Sequence, residues 1–160
     1  LERMFFQFDI KKEQLTYINY FEDTPDSALK KCANSDIIYF TGGLPDKLYL
    51  RLQEFNLVDY LSHHNKIIMG DSAGAVIQFR EYHLSPDADY SKFSYYTGLD
   101  MLKNFNIEVH YTGSIAQDES IHKVTAEKHI PVLALIDDSI IIAANNNITC
   151  LGSVKNSFPN

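Results

Sequence analysis

Short apolar runs alternate with longer amphipathic stretches along this chain, and the alternation predicts its elements. Strands are expected at Leu15 to Tyr20, Ile37 to Phe40, Lys66 to Met69, Phe105 to His110 and Pro131 to Ile136, then at Ile140 to Ala143 and Ile148 to Leu151. Helices fall between them. Thr24-Pro25-Asp26 supplies a capping hydroxyl, a proline at the first helical position and an acid in the first turn, and Leu29, Lys30 and Cys32 carry that helix onward. Further helices are expected from Pro45 to Phe55, Val58 to His63, Ala73 to Phe79 and Glu119 to Lys128. The opening Leu1-Glu2-Arg3-Met4-Phe5-Phe6 has the pattern of the end of an amphipathic helix with no cap before it, so the sequence reads as beginning inside a domain.

Near-continuous apolar strands separated by helices indicate an α/β fold, with a parallel sheet covered by helices on both faces. The last two strands, joined at Asn145-Asn146-Asn147, predict an antiparallel hairpin at one edge. Residues 80–97 are rich in Tyr, Ser, Asp and Pro without periodicity. They are expected to form a loop able to lie across a site, with Tyr82, Tyr90, Tyr95 and Tyr96 shaping a pocket.

Composition narrows the class. A chain of 160 residues with 45% hydrophobic content suits one α/β domain spanning 1–160. Fourteen basic against twenty-one acidic side chains give a net charge of -7, which disfavours nucleic acid and anionic membranes as partners. Cys32 and Cys150 lack metal-ligand spacing, so they read as two inert thiols in a reducing cytoplasm. No apolar stretch approaches the ~20 residues of a membrane span.

The chemistry is expected at Gly70-Asp71-Ser72-Ala73-Gly74-Ala75, directly after the strand ending at Met69. Gly-x-Ser-x-Gly between strand and helix makes a nucleophile elbow, a turn so tight that its flanking positions must be small. Ser72 is thrust outward, and the Ala73 N–H points toward the place where an oxyanion would form. Thr41-Gly42-Gly43 occupies the corresponding turn one strand earlier and supplies a second donor at Gly43.

A serine nucleophile needs a base, and six histidines compete: His63, His64, His83, His110, His122 and His129. His110 ends the strand from Phe105, which places it at the sheet edge where the elbow opens, and it is the choice here. The acid orienting it is Asp137 or Asp138, which close the strand Val132 to Ile136, or Asp87 in the long loop.

These residues carry a resemblance. Phe40-Thr41-Gly42-Gly43, the elbow around Ser72, and His110 after an Ile-containing strand resemble the dipeptidase E and cyanophycinase family of serine peptidases over roughly Leu15 to Leu151. The resemblance implies a flavodoxin-like fold related to class I glutamine amidotransferases. It also implies Ser72 as nucleophile, His110 as base, Asp137 as acid, and Gly43 and Ala73 as oxyanion donors. Family members begin with a strand and helix missing here, so the domain is expected to lack its first strand and part of its first helix.

Relatives that cleave after an N-terminal aspartate place an arginine shortly beyond the histidine, whereas Tyr111 to His122 contains neither Arg nor Lys. Aspartyl specificity is therefore not carried over, although Arg80 or Lys47 could offer a positive charge. The expected activity is hydrolysis of small peptides without metal or organic cofactor, by a cytoplasmic protein for which a homodimer is compatible. Two other readings remain open: a different serine hydrolase, such as an esterase or a cyanophycinase-like enzyme, and a non-catalytic binding module on the same fold.

Overall fold

Thr24 caps its helix as its sequence predicts: its hydroxyl accepts the Ser27 N–H at 3.2 Å, while the Ser27 hydroxyl accepts the Thr24 N–H at 2.9 Å. The computed structural model describes residues 2–145 and 147–159. Within these, helix α1 (Glu2–Phe6) and a short 3-10 turn precede α2 (Pro25–Asn34), β1 (Ile37–Phe40), α3 (Pro45–Glu54), α4 (Val58–His63) and β2 (Ile67–Gly70). The one-turn helix α5 (Ala73–Val76) leads to the hairpin β3 (Glu81–Leu84) and β4 (Ser94–Thr97). There follow β5 (Asn106–Glu108), α6 (Ile115–Lys128), β6 (Val132–Leu135), β7 (Ile140–Ala144), β8 (Asn147–Leu151) and β9 (Val154–Ser157).

This is a mixed α/β fold whose described strands form several small sheets. β1 and β2 run parallel from Ile37↔Ile67 to Phe40↔Gly70. β5 and β6 are also parallel, and β9 lies antiparallel on the other edge of β6. β7 and β8 make the expected antiparallel hairpin, though its central Asn146 lies outside the described residues, as does Leu1 of the predicted opening helix. Parallel pairing matters for function because it sends the ends of β1 and β2 the same way, and likewise those of β5 and β6.

Apolar side chains from these elements form three clusters. Ala28, Phe40, Leu52, Leu57, Leu61 and Ile77 fill one; Val76, Phe79, Tyr82, Phe105, Ile107 and Leu133 fill another. Val76 and Ile77 are adjacent in sequence yet enter different clusters, so the short helix after the elbow is anchored in both. Val124, Val132 and Ala134 belong to the third, under α6.

Several sequence expectations are corrected. Leu15 to Tyr20 is not a strand: every residue but Leu15 is exposed, and none pairs with a neighbour. Residues 80–97 are not simply a loop, because β3 and β4 pair antiparallel from Glu81↔Thr97 to Leu84↔Ser94. The helix after the elbow stops at Val76 rather than Phe79, since the Leu99 N–H is donated to the Ile77 carbonyl and Phe79 bridges to Leu102. α6 begins at Ile115, four residues before Glu119, because Ser114 caps it. β9 was not expected at all. Among the described residues, no helix is long and apolar enough to cross a membrane.

Candidate active site

Gly70 and Gly74 make the elbow sterically feasible. A Cβ at Gly70 would lie 2.1 Å from the Gly74 carbonyl oxygen, and one at Gly74 would lie 2.2 Å from that of Phe40. The strand, the turn and the neighbouring strand therefore touch backbone to backbone. Between these glycines Ser72 is held at φ 50°, ψ -108°, a conformation that L residues rarely adopt. Such backbone costs about 1–3 kcal/mol and persists only where the surroundings enforce it.

His110 also has positive φ, 52°. It follows β5, and the pairing with β6 continues past it through the Tyr111 N–H, which donates to the Leu135 carbonyl at 2.8 Å. The next turn beyond β6 carries Asp137. Neighbouring parallel strands thus bring together two residues 27 positions apart.

The result is a continuous hydrogen-bonded line. His110 Nε2 lies 2.8 Å from Ser72 Oγ, and His110 Nδ1 lies 2.7 Å from Asp137 Oδ1. An ionised carboxylate only accepts, so Nδ1 carries the proton and Nε2 is left to accept the serine hydroxyl. The line faces solvent: the side chains of His110 and Asp137 are 59% and 77% exposed.

The rival acids are engaged elsewhere. Asp138 accepts the Ser153 N–H and hydroxyl at 3.2 and 3.3 Å, pinning the turn before β9. Asp87 accepts the N–H groups of Asp89 and Tyr90 within its own loop. The rival histidines are likewise removed from Ser72. His83 is buried with Nε2 at 2.8 Å from Glu108, His63 bonds the Asp59 carbonyl, His64 lies against Tyr60, and His122 and His129 belong to α6 and its end.

Both sequence-derived oxyanion positions follow strand ends. Ala73 begins α5, and Gly43 has φ 134° with open space around its α-carbon. Among the described residues, neither N–H donates to a protein acceptor. Of the loop tyrosines, Tyr82 stacks on Tyr96 in the core and Tyr95 donates to Glu127 on α6. Tyr90 donates to Asp46 at 2.6 Å, three residues after Gly43. Burial and then the Asp46 bond push the Tyr90 phenol well above its ordinary value, so it stays protonated as donor.

Sequence reasoning missed Gln117. Its Nε2 donates to the His110 carbonyl at 3.0 Å, and its Oε1 accepts from the Thr112 N–H and hydroxyl, both at 3.0 Å, and from the Ser114 hydroxyl at 3.2 Å. The signal was present as Ser114-x-x-Gln117, the spacing of a capping box.

An outward serine in reach of an imidazole that is itself bonded to a carboxylate is the equipment of a serine-type hydrolase. The chain belongs to peptidase family S51, whose family model matches residues 1–151, and it is accordingly a serine-type peptidase. The resemblance read from the Gly42-Gly43 turn, the elbow and His110 is borne out. Among solved structures, one described as "a Putative Peptidase E Protein from Listeria monocytogenes EGD-e" is similar with a TM-score of 0.60. It is 18% identical, and the match covers 84% of this chain and 68% of that one; the likeness is one of fold. No curated protein matches.

Proposed function

We propose that the protein hydrolyses small peptides through Ser72, His110 and Asp137. His110 Nε2 takes the hydroxyl proton as Ser72 Oγ attacks the peptide carbonyl, and the tetrahedral oxyanion is met by the N–H groups of Gly43 and Ala73. Collapse expels the amine, to which His110 returns the proton, leaving an acyl-enzyme. Water then attacks that ester with His110 again as base, and Ser72 is regenerated. Asp137 holds the imidazole in the tautomer this requires and stabilises the imidazolium that forms.

The single observation that supports this most is the unbroken line of two hydrogen bonds, 2.8 Å from serine to imidazole and 2.7 Å from imidazole to carboxylate. It also favours Asp137 over Asp138 and Asp87. The setting we envisage is one domain with a flavodoxin-like parallel sheet, the β7–β8 hairpin at its edge, acting on peptides in the cytoplasm and compatible with a homodimer. Tyr111 to His122 contributes no Arg or Lys of its own, and the cation that reaches it, Lys155, is engaged by Asp118 at 3.0 Å and the Tyr111 hydroxyl at 2.6 Å, which speaks against a preference for acidic substrates.

Cleavage of a peptide library read by mass spectrometry tests the proposal, together with labelling by a serine-directed fluorophosphonate. Ser72→Ala is expected to abolish both without loss of the fold. Turnover unchanged in that variant overturns the mechanism.

A further inference from the structure

We infer that Gln117 is a positioning residue for His110, an inference that rests on the proposed mechanism. A base on a strand end has its ring held by its partners, but its backbone must also be fixed. That of His110 lies at φ 52°, outside the regions an L residue prefers, and β5 ended two residues earlier. The side chain of Gln117 closes the gap from the opposite direction. It sits half-buried in the first turn of α6, where a glutamine normally returns to the N-cap backbone.

Here the Ser114 hydroxyl caps the helix itself, accepting the Gln117 N–H at 3.3 Å, and the amide is released for other partners. Its oxygen gathers three donors from Thr112 and Ser114, which fixes the amide plane and aims Nε2 at the His110 carbonyl, 3.0 Å away. The loop between β5 and α6 is thereby clasped to the helix, and the base is held through its carbonyl oxygen, which accepts no backbone hydrogen bond among the described residues. Gln117 touches neither Ser72 nor Asp137, so its action passes through His110.

Two substitutions separate this role from mere packing. Gln117→Met keeps the length and removes every hydrogen bond of the side-chain amide while leaving the backbone cap at Ser114. Gln117→Glu keeps an oxygen for Thr112 and Ser114 but turns a second oxygen, without a proton, toward the His110 carbonyl. Since displacement of a catalytic group by ~1 Å can cost on the order of 10²-fold, both are expected to lower kcat by about 10–100-fold while KM changes little. Fluorophosphonate labelling should slow in parallel, and the deshielded Nδ1–H proton resonance of an imidazole bonded to a carboxylate should shift or broaden.

Wild-type kcat in Gln117→Glu with loss only in Gln117→Met would show that the clasp matters and the bond to His110 does not, which overturns the inference. So would a lowered melting temperature in both with kcat unchanged. If the wild-type protein neither hydrolyses peptides nor labels, the proposed mechanism falls and takes this inference with it; an active wild type with two equally active variants defeats the inference alone.

Discussion

Asp137 and Asp138 are adjacent carboxylates with opposite duties, and the difference lies in what each side chain meets. Asp137 reaches His110 Nδ1 at 2.7 Å, whereas both oxygens of Asp138 are taken by Ser153. Replacing Asp137 by Asn removes the negative charge and allows an amide N–H to face the imidazole, which stabilises the wrong tautomer. Loss of kcat of about 10²–10⁴-fold is expected, with melting temperature little changed because the pair is exposed. Asp138→Asn should behave the other way: kcat retained and some thermal stability lost at the turn before β9. Steady-state kinetics and thermal melts of the two variants check the assignment, and equal kinetic losses would refute it. The spacing of residues alone left these acids open and only the family resemblance pointed to Asp137, since both close the same apolar strand and the path of the turn after β6 decides which one faces the histidine.

β3 and β5 meet at a second polar cluster, this one inside the protein. Glu108 accepts from Ser85 Oγ and pairs with His83 Nε2, each at 2.8 Å, and all three residues are buried. Glu108→Ala would leave the hydroxyl and the imidazole without partners, at a cost of roughly 1–3 kcal/mol for each group. A clear drop in melting temperature is expected, along with loss of activity only as far as the strand leading to His110 loosens; an unchanged melt would contradict this. The same cluster explains why the hairpin was hard to read. Residues 81–84 carry Glu, Tyr, His and Leu, and because Tyr82 and His83 are both buried the alternation that marks a half-buried strand is absent. β9 was hidden for a related reason, since Val-Lys-Asn-Ser is polar but pairs along β6. Leu15 to Tyr20 shows the converse, apolar enough to suggest a strand yet paired with none among the described residues. The elbow was legible because backbone contact demands glycine whatever surrounds it, as the 2.1 and 2.2 Å clashes at Gly70 and Gly74 show, and the Gly42-Gly43 turn because Gly43 holds φ 134°, a conformation that favours glycine. Gln117 was not, because its spacing also fits an ordinary cap.

Acidic side chains outnumber basic ones by twenty-one to fourteen, and one of them, Asp23, fastens the early part of the chain to the rest. Lys31 donates to it at 2.7 Å, Ser27 at 2.7 Å and the Asn19 N–H at 2.8 Å, and these bonds, Lys31 foremost, bring its carboxyl down to about 2. Lys31 also donates to the Tyr17 carbonyl, so residues 17–23 are tied to α2 through one ion pair. A carboxyl lowered below its ordinary value of roughly 3.9 stabilises the folded state fully above that value and loses its contribution as pH falls through about 2. Acidification should therefore release residues 17–23 before the rest. A general charge effect makes a different forecast: the chain is neutral near pH 5.2 and becomes positive below it, so repulsion would loosen all elements together. Hydrogen exchange at pH about 2.5 and about 5 separates the two, because only the local bond opens residues 17–23 selectively. Asp23→Asn should already show that opening at the higher pH and gain little more at the lower one. Uniform loosening, or a variant as protected as the wild type, would mean that Asp23 does not hold this segment.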